Sequence, residues 1–258
     1  MKSIEESVVT AMDGTDIELF PFIQYILQDS WEIGADPDVI INLITRHKEN
    51  IPDLRVLDLG CGKGAVAVKI AHKLNCMCHG IDALVDFIDY AKKKAIEYHV
   101  DHLCRFEVGD IRKRITELPA FDVIILGAIG PVFGDYFSTL TKLSACLDPV
   151  GIIIIDDGYI ENTSDYNHPL ILKKEIIHKQ IESSGMKLID EIIISGNSIK
   201  DSDDYIFENL EKRCKELIIK FPDKKHLFEN YIKKQKEENY ILETEIICST
   251  MVIKRLQT

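Results

Sequence analysis

One short run of residues sets the chemistry this chain can carry. Val56 to Gly64 reads Val-Leu-Asp-Leu-Gly-Cys-Gly-Lys-Gly, an apolar stretch that closes on Asp58 and then turns through Gly60, Gly62 and Gly64. Residues without a Cβ let a ligand approach bare backbone, and a glycine turn between a strand and a helix is a common nucleotide site. The sign of charge narrows the choice, because Asp58 repels a pyrophosphate and attracts an ammonium or a sulfonium. Spacing agrees: the glycines run Gly-x-Gly-x-Gly, whereas the dinucleotide fingerprint needs Gly-x-Gly-x-x-Gly. Asp82 follows twenty residues after Gly62. A carboxylate there can accept hydrogen bonds from the two hydroxyls of a ribose, and it can also cap the next helix. Asp110 follows in Val108-Gly109-Asp110-Ile111, where a turn role competes with a binding role.

Leu57 to Gly64 is similar to the first motif of the class I S-adenosylmethionine-dependent methyltransferases. The resemblance covers about residues 50 to 195 and the last strand. It implies an α/β, Rossmann-like fold with a seven-stranded, mostly parallel sheet in the order 3-2-1-4-5-7-6, only the seventh strand antiparallel, and helices on both faces. It implies S-adenosylmethionine as cofactor, held by Asp58, Gly60, Cys61, Gly62, Gly64, Asp82, Ala83, Asp110, Ile111 and Ala128. In that family an aspartate placed like Asp110 contacts the adenine amino group. The small residues Gly127-Ala128-Ile129-Gly130 would let a carbonyl approach the methionine part. The implied reaction is in-line methyl transfer to a small organic molecule, in which positioning matters more than acid or base work. The chain lacks both the Asn-Pro-Pro-Tyr run of methyltransferases for DNA bases or protein glutamine and the strand-four aspartate with which catechol-type relatives hold magnesium. Asp156 and Asp157, two carboxylates without a third ligand, make a weak metal site, so no metal is expected.

No residue stands out as catalytic. Position alone offers Tyr159 and His168 after strand five, and Asp13, Asp16 and Trp31 near the N-terminus. Trp31, Tyr159 and His168 are the substrate candidates, each with packing or surface roles as the competing reading. The acidic balance and Tyr205, Tyr231 and Tyr240 suit a neutral or cationic substrate.

These residues need a frame to hold them. From residue 54 short β-rich runs alternate with helical stretches, the signature of a parallel sheet with crossover helices. The expected strands are Arg55–Leu59, Met77–Ile81, Arg105–Val108, Asp122–Leu126, Ile152–Asp156, Leu188–Ile194 and Glu245–Ile253. Asp148-Pro149-Val150-Gly151 reads as a turn before the fifth, and Gly185 as a helix C-cap before the sixth. Apolar faces at helical spacing include Ala67, Ile70, Ala71 and Leu74; Leu84, Ile88, Ala91 and Ala95; and Phe137, Leu140, Ser144 and Leu147. The expected divisions are an N-terminal helical cap at 1–50, a cofactor-binding core at 51–194, a helical insertion at 195–243 that is a lid or a dimer element, and the final strand at 244–258. The cap should hold two helices, one started by Pro21 and one with Asp36 as N-cap and Pro37 as first residue.

A chain of 258 residues with 46% hydrophobic and 29% charged residues has the composition of a globular protein with a sizeable core. No apolar run approaches the roughly 18 residues needed to span a bilayer, and the start, Met-Lys-Ser-Ile-Glu-Glu, lacks a signal-peptide pattern, so a cytoplasmic protein is expected. The net charge of −12 opposes capture of phosphate backbones. Partners are therefore a small-molecule substrate, without nucleic acid or membrane, and a homodimer remains open. Seven cysteines, an odd number with no paired Cys-x-x-Cys runs, argue against disulfides and a zinc site. Two other readings stay in play: a cofactor-binding regulatory or interaction module without turnover, and a nicotinamide-dependent oxidoreductase.

Overall fold

A computed structural model describes residues 2–256. The chain forms two compact units, Met1–Ile33 with Ile194–Ile247 and Gly34–Ile193 with Cys248–Thr258. The N-terminal boundary expected at residue 50 thus moves to residue 33: helix α3 (Pro37–His47) belongs to the sheet unit and packs on α4 (Ala65–Leu74). The last two residues of the expected 244–258 segment lie outside the described residues.

The sheet unit holds β1 (Arg55–Leu59), β2 (Met77–Asp82), β3 (Cys104–Val108), β4 (Phe121–Gly127), β5 (Leu147–Tyr159), β6 (Met186–Ile193) and β7 (Ile247–Arg255), in the order β3-β2-β1-β4-β5-β7-β6. Strand β1 runs parallel to β2 and β4, β2 to β3 and β4 to β5, whereas β7 is antiparallel to β6. The central strands are near-continuous apolar runs because helices cover them: Val56, Leu57 and Leu59 of β1 and Val123, Ile124 and Ile125 of β4 are fully buried. On the helices, Ala67, Val68, Ile70 and Ala71 of α4 and Phe87, Ile88, Ala91 and Ala95 of α5 (Val85–Glu97) face the core.

Two local readings are corrected. Asp148 to Gly151 is not a turn that precedes the strand but an irregularity inside β5, since Phe121 pairs with Leu147 and the register then jumps to Val123 opposite Ile152. On α7 (Tyr136–Leu143) the buried face is Tyr136, Thr139, Leu140 and Leu143, and Phe137 is exposed. The Asp135 side chain accepts the Ser138 N–H and fixes that phase.

In the helical unit α1 (Ile4–Ala11) opens with a capping box between Ser3 and Glu6. Pro21 lies inside a 3₁₀ turn, Ile17–Phe22, that leads into the short α2 (Ile23–Ile26) instead of starting a long helix. The hairpin of α9 (Gly196–Lys220) and α10 (Lys225–Thr244) buries Leu210, Cys214, Leu217, Phe228 and Tyr231. Arg213 of α9 makes two hydrogen bonds, 2.7 and 2.8 Å, to the Asp29 carboxylate.

Candidate functional site

The turn after β1 sits at the carboxyl ends of parallel strands, where open α/β sheets place their ligands. Gly60, Gly62 and Gly64 all take positive φ, +75°, +52° and +75°, a region other L-residues enter at a cost. At two of the three the space left by the missing Cβ is filled by the protein itself. A Cβ on Gly60 would lie 2.6 Å from Ile129 Cγ2, and one on Gly64 would lie 2.6 Å from Ala91 Cβ and 3.0 Å from the Phe106 ring. Backbone conformation and close packing therefore account for these two glycines; the expectation that the missing Cβ atoms leave room for a ligand is corrected there.

The ligand-facing chemistry lies in the polar groups. The Gly60 and Cys61 N–H groups both donate to the Ile81 carbonyl, at 2.8 and 3.1 Å, and Gly64 N–H donates to the Cys61 carbonyl at 2.9 Å. Gly62 N–H donates to Asp82 Oδ2 at 2.9 Å. With four donors engaged internally, the turn offers no cradle of N–H groups to an anion. Lys63 is 3% exposed, and its ammonium lies 5.5 Å from the Phe87 ring centre and 5.1 Å from that of Tyr90, a cation–π arrangement.

Around this turn stand carboxylates. Asp58 is 3% exposed, and its Oδ2 has no hydrogen-bond partner among the described residues. Burial first, then the neighbouring Asp82, pushes its carboxyl up to about 7. Asp82 accepts Gly62 N–H on one oxygen and Leu84 N–H on the other, both at 2.9 Å. It therefore pins the turn to the start of α5, and each oxygen keeps a lone pair for a further donor. Burial raises its carboxyl too.

Asp110 is more committed than its sequence context suggests. As N-cap of the short α6 (Ile111–Arg114) it accepts Arg112 N–H at 3.0 Å, and the Arg112 guanidinium grips it through both oxygens, at 2.8 and 3.0 Å. That grip holds the carboxyl below its ordinary range, and the capacity left is on Oδ2. The sequence signal for the pairing, a lysine- and arginine-rich run directly after Asp110, is generic. Ile111 is buried, Ala83 is half-buried between β2 and α5, and the Cys61 thiol, buried and held well above its ordinary pKa, donates weakly to the Gly62 carbonyl. Ala128 takes φ +55° and donates its N–H to the Asp156 carbonyl at 3.0 Å. Gly34 and Ala35 pack so closely on Gly127 and Ala128 that a Cβ on Gly34 would lie 3.1 Å from the Ala128 Cβ.

The substrate candidates after β5 are each held by neighbours of their own. Tyr159 is 1% exposed, and its hydroxyl accepts the Lys174 ammonium at 2.8 Å, which also reaches Glu191 at 3.1 Å. His168 accepts the Leu170 and Ile171 N–H groups on Nδ1 at 3.2 Å each, so it shapes its own loop. Trp31 belongs to the helical unit. Asp156 accepts the Thr250 hydroxyl at 2.6 Å and is pushed up to about 6, chiefly by burial. Asp157 accepts the Tyr136 hydroxyl at 2.9 Å. Sequence reading missed both partners, because only the fold brings α7 and β7 to the end of β5.

Comparison with known proteins places this geometry in a family. The sterol 24-C-methyltransferase of Candida albicans is 28% identical over 129 residues, which is 46% of this chain and 34% of that protein. The chain thus spans about a third of the length of that curated relative. Among solved structures, an S-adenosylmethionine-dependent methyltransferase from Thiobacillus denitrificans, in complex with S-adenosyl-L-homocysteine, superposes with a TM-score of 0.74 at 18% identity, covering 91% of this chain and 98% of that one. The cyclase SpnF superposes at 0.70 with 15% identity, covering 100% of this chain and 98% of that one. These two likenesses concern the fold. A family model described as a methyltransferase domain matches residues 51–243, three quarters of the sequence, and the chain belongs to that methyltransferase domain family.

Proposed function

We propose that this chain binds S-adenosylmethionine and transfers its methyl group to a small organic molecule. One observation carries the reading. The glycine turn has its N–H donors engaged and its lysine held on aromatic rings, while a buried carboxylate with an unpartnered oxygen stands beside it. Such a site disfavours diphosphates and favours a cationic amino-acid nucleoside, which also argues against a nicotinamide dinucleotide. Asp58 and the turn 60–64 would hold the amino-acid end, Asp82 the ribose hydroxyls, and Asp110 Oδ2 with Ile111 the adenine. When bound, this cofactor supplies an electrophilic methyl group on a sulfonium. The chain's own part is to align the acceptor and exclude water. No step is assigned to Tyr159, whose phenol is raised chiefly by burial and bonded to Lys174.

A second reading keeps cofactor binding without methyl transfer, favoured by the full-length superposition on a cyclase. A cytoplasmic setting belongs to the main reading: among the described residues no disulfide joins the cysteines, and no helix is long and apolar enough to cross a membrane. Calorimetric titration with S-adenosylhomocysteine and NADH tests the cofactor, with micromolar binding expected for the first alone. Screening amines, phenols, thiols and carboxylates for formation of S-adenosylhomocysteine then separates methyl transfer from binding without turnover.

A further inference from the structure

Asp58 presents an unresolved demand for positive charge. It is enclosed by β1, β2, the glycine turn and α4, and the groups that face it are Asp82 and the Cys78 thiol from β2, the Cys61 thiol from the turn and the Ala67 N–H from α4. Its register partners on either side, Gly80 and Ile125, bring no charge. The Lys63 ammonium lies over Phe87 and Tyr90. A carboxylate so placed, with one oxygen unpartnered and a second acid beside it, is more stable as the neutral acid until a cation arrives.

We infer, on the reading given above, that cofactor binding is coupled to loss of one proton from Asp58: the O–H bond breaks, the proton passes to solvent, and the carboxylate left behind faces the positive charge of the ligand. Binding then weakens as pH falls below neutrality, because the proton competes with the ligand for the same oxygen. The value of about 7 for the ligand-free carboxyl fits this exchange.

The test is calorimetric titration of the intact protein with S-adenosylmethionine at pH 6 in buffers of different ionisation enthalpy. At that pH an α-amino group, with a pKa of about 7.7 to 8, is already protonated and exchanges nothing. A carboxyl that titrates at about 7 is about 90% protonated. The expected slope of enthalpy against buffer ionisation enthalpy corresponds to release of about 0.9 proton in the wild type. It should vanish in Asp58→Asn and persist in Asp82→Asn, smaller because the neighbouring negative charge is gone but not lost because burial is the larger cause, which also covers the case in which the first variant does not fold. Binding without buffer dependence in the wild type, release that survives Asp58→Asn, or release abolished by Asp82→Asn overturns the inference. Absence of S-adenosylmethionine binding at pH 6 and at pH 8 overturns instead the functional reading on which it rests.

Discussion

At the scale of single residues the site is defined by which polar groups are already committed. Asp82 holds Gly62 and Leu84 by their N–H groups and retains a lone pair on each oxygen, which is what the proposed ribose site uses. Asp82→Ala should therefore weaken S-adenosylhomocysteine binding by about 1.5 to 3 kcal/mol, roughly 10- to 150-fold in Kd, the scale of a lost charge-assisted hydrogen bond. Titration calorimetry on a variant whose folded circular dichroism is unchanged reads this directly. An unaltered Kd would remove Asp82 from the ribose site and leave it as a clasp for the turn. The place of Asp58, Asp82 and Asp110 at the ends of three successive strands was legible in the sequence, because the alternating pattern already marks those strands. Their local partners were not. That Arg112 folds back onto Asp110, or that Lys63 turns onto Phe87 and Tyr90, depends on side-chain directions that residue spacing does not encode.

At the scale of elements, the β1–turn–α4 unit works because small residues let neighbouring pieces meet. Gly64 begins α4 at φ +75° with Ala91 of α5 and Phe106 of β3 against its α-carbon. Gly64→Ala adds left-handed strain to overpacking and should destabilise the protein by roughly 2 to 4 kcal/mol. Gly130 offers an internal control, since its φ is +64° but nothing lies within 4 Å of the point where a Cβ would stand; Gly130→Ala should cost about 1 to 2 kcal/mol, from strain alone. Urea denaturation of the two variants decides the matter, and equal losses would refute close packing as the reason for Gly64. The elements themselves were largely readable. Period-2 and apolar runs located all seven strands within a few residues, except β5, where Pro149 and Gly151 read as a turn although the strand continues through them as an irregularity. The N-terminal helices were harder, because Pro21 sits well in a 3₁₀ turn as well as at a helix start, and the signal that marks α1 is the short Ser3–Glu6 capping box rather than a long apolar face.

At the scale of the whole molecule, buried carboxylates set the response to pH. Burial is the largest cause in each case: it pushes Asp58 up to about 7 and Asp156 to about 6 in the sheet unit, and Asp203 to about 6 in the helical unit. The ordinary aspartate value is 3.8. Between that value and 6 to 7 the folded chain holds protons that the unfolded chain has released. These groups therefore contribute stability that is fully present below about 4 and is lost as pH rises through 6 to 7, at up to about 1.4 kcal/mol per pH unit for each group in its window. The opposing carboxylates, Asp110 gripped by Arg112, Asp190 by His47 and Glu107 by Arg114, are held below their ordinary values, so their contribution is present above the usual carboxylate range and fades only as pH falls below it. Between pH 5 and 8 the raised carboxylates are opposed by His79, which burial holds below its ordinary range so that its contribution grows as pH rises, while the growing negative charge of a chain at −12 works in the same direction as the carboxylates. Thermal melts followed by circular dichroism should show Tm falling from pH 5.5 to pH 8, and if the two units melt separately both transitions should move that way. Asp58→Asn, neutral at every pH, should flatten the descent of the sheet unit while leaving that of the helical unit unchanged. A wild-type Tm that is level or climbs across this range would mean that these carboxylates are ionised inside the folded protein, and Asp58 would then have no proton to give up when a cation binds.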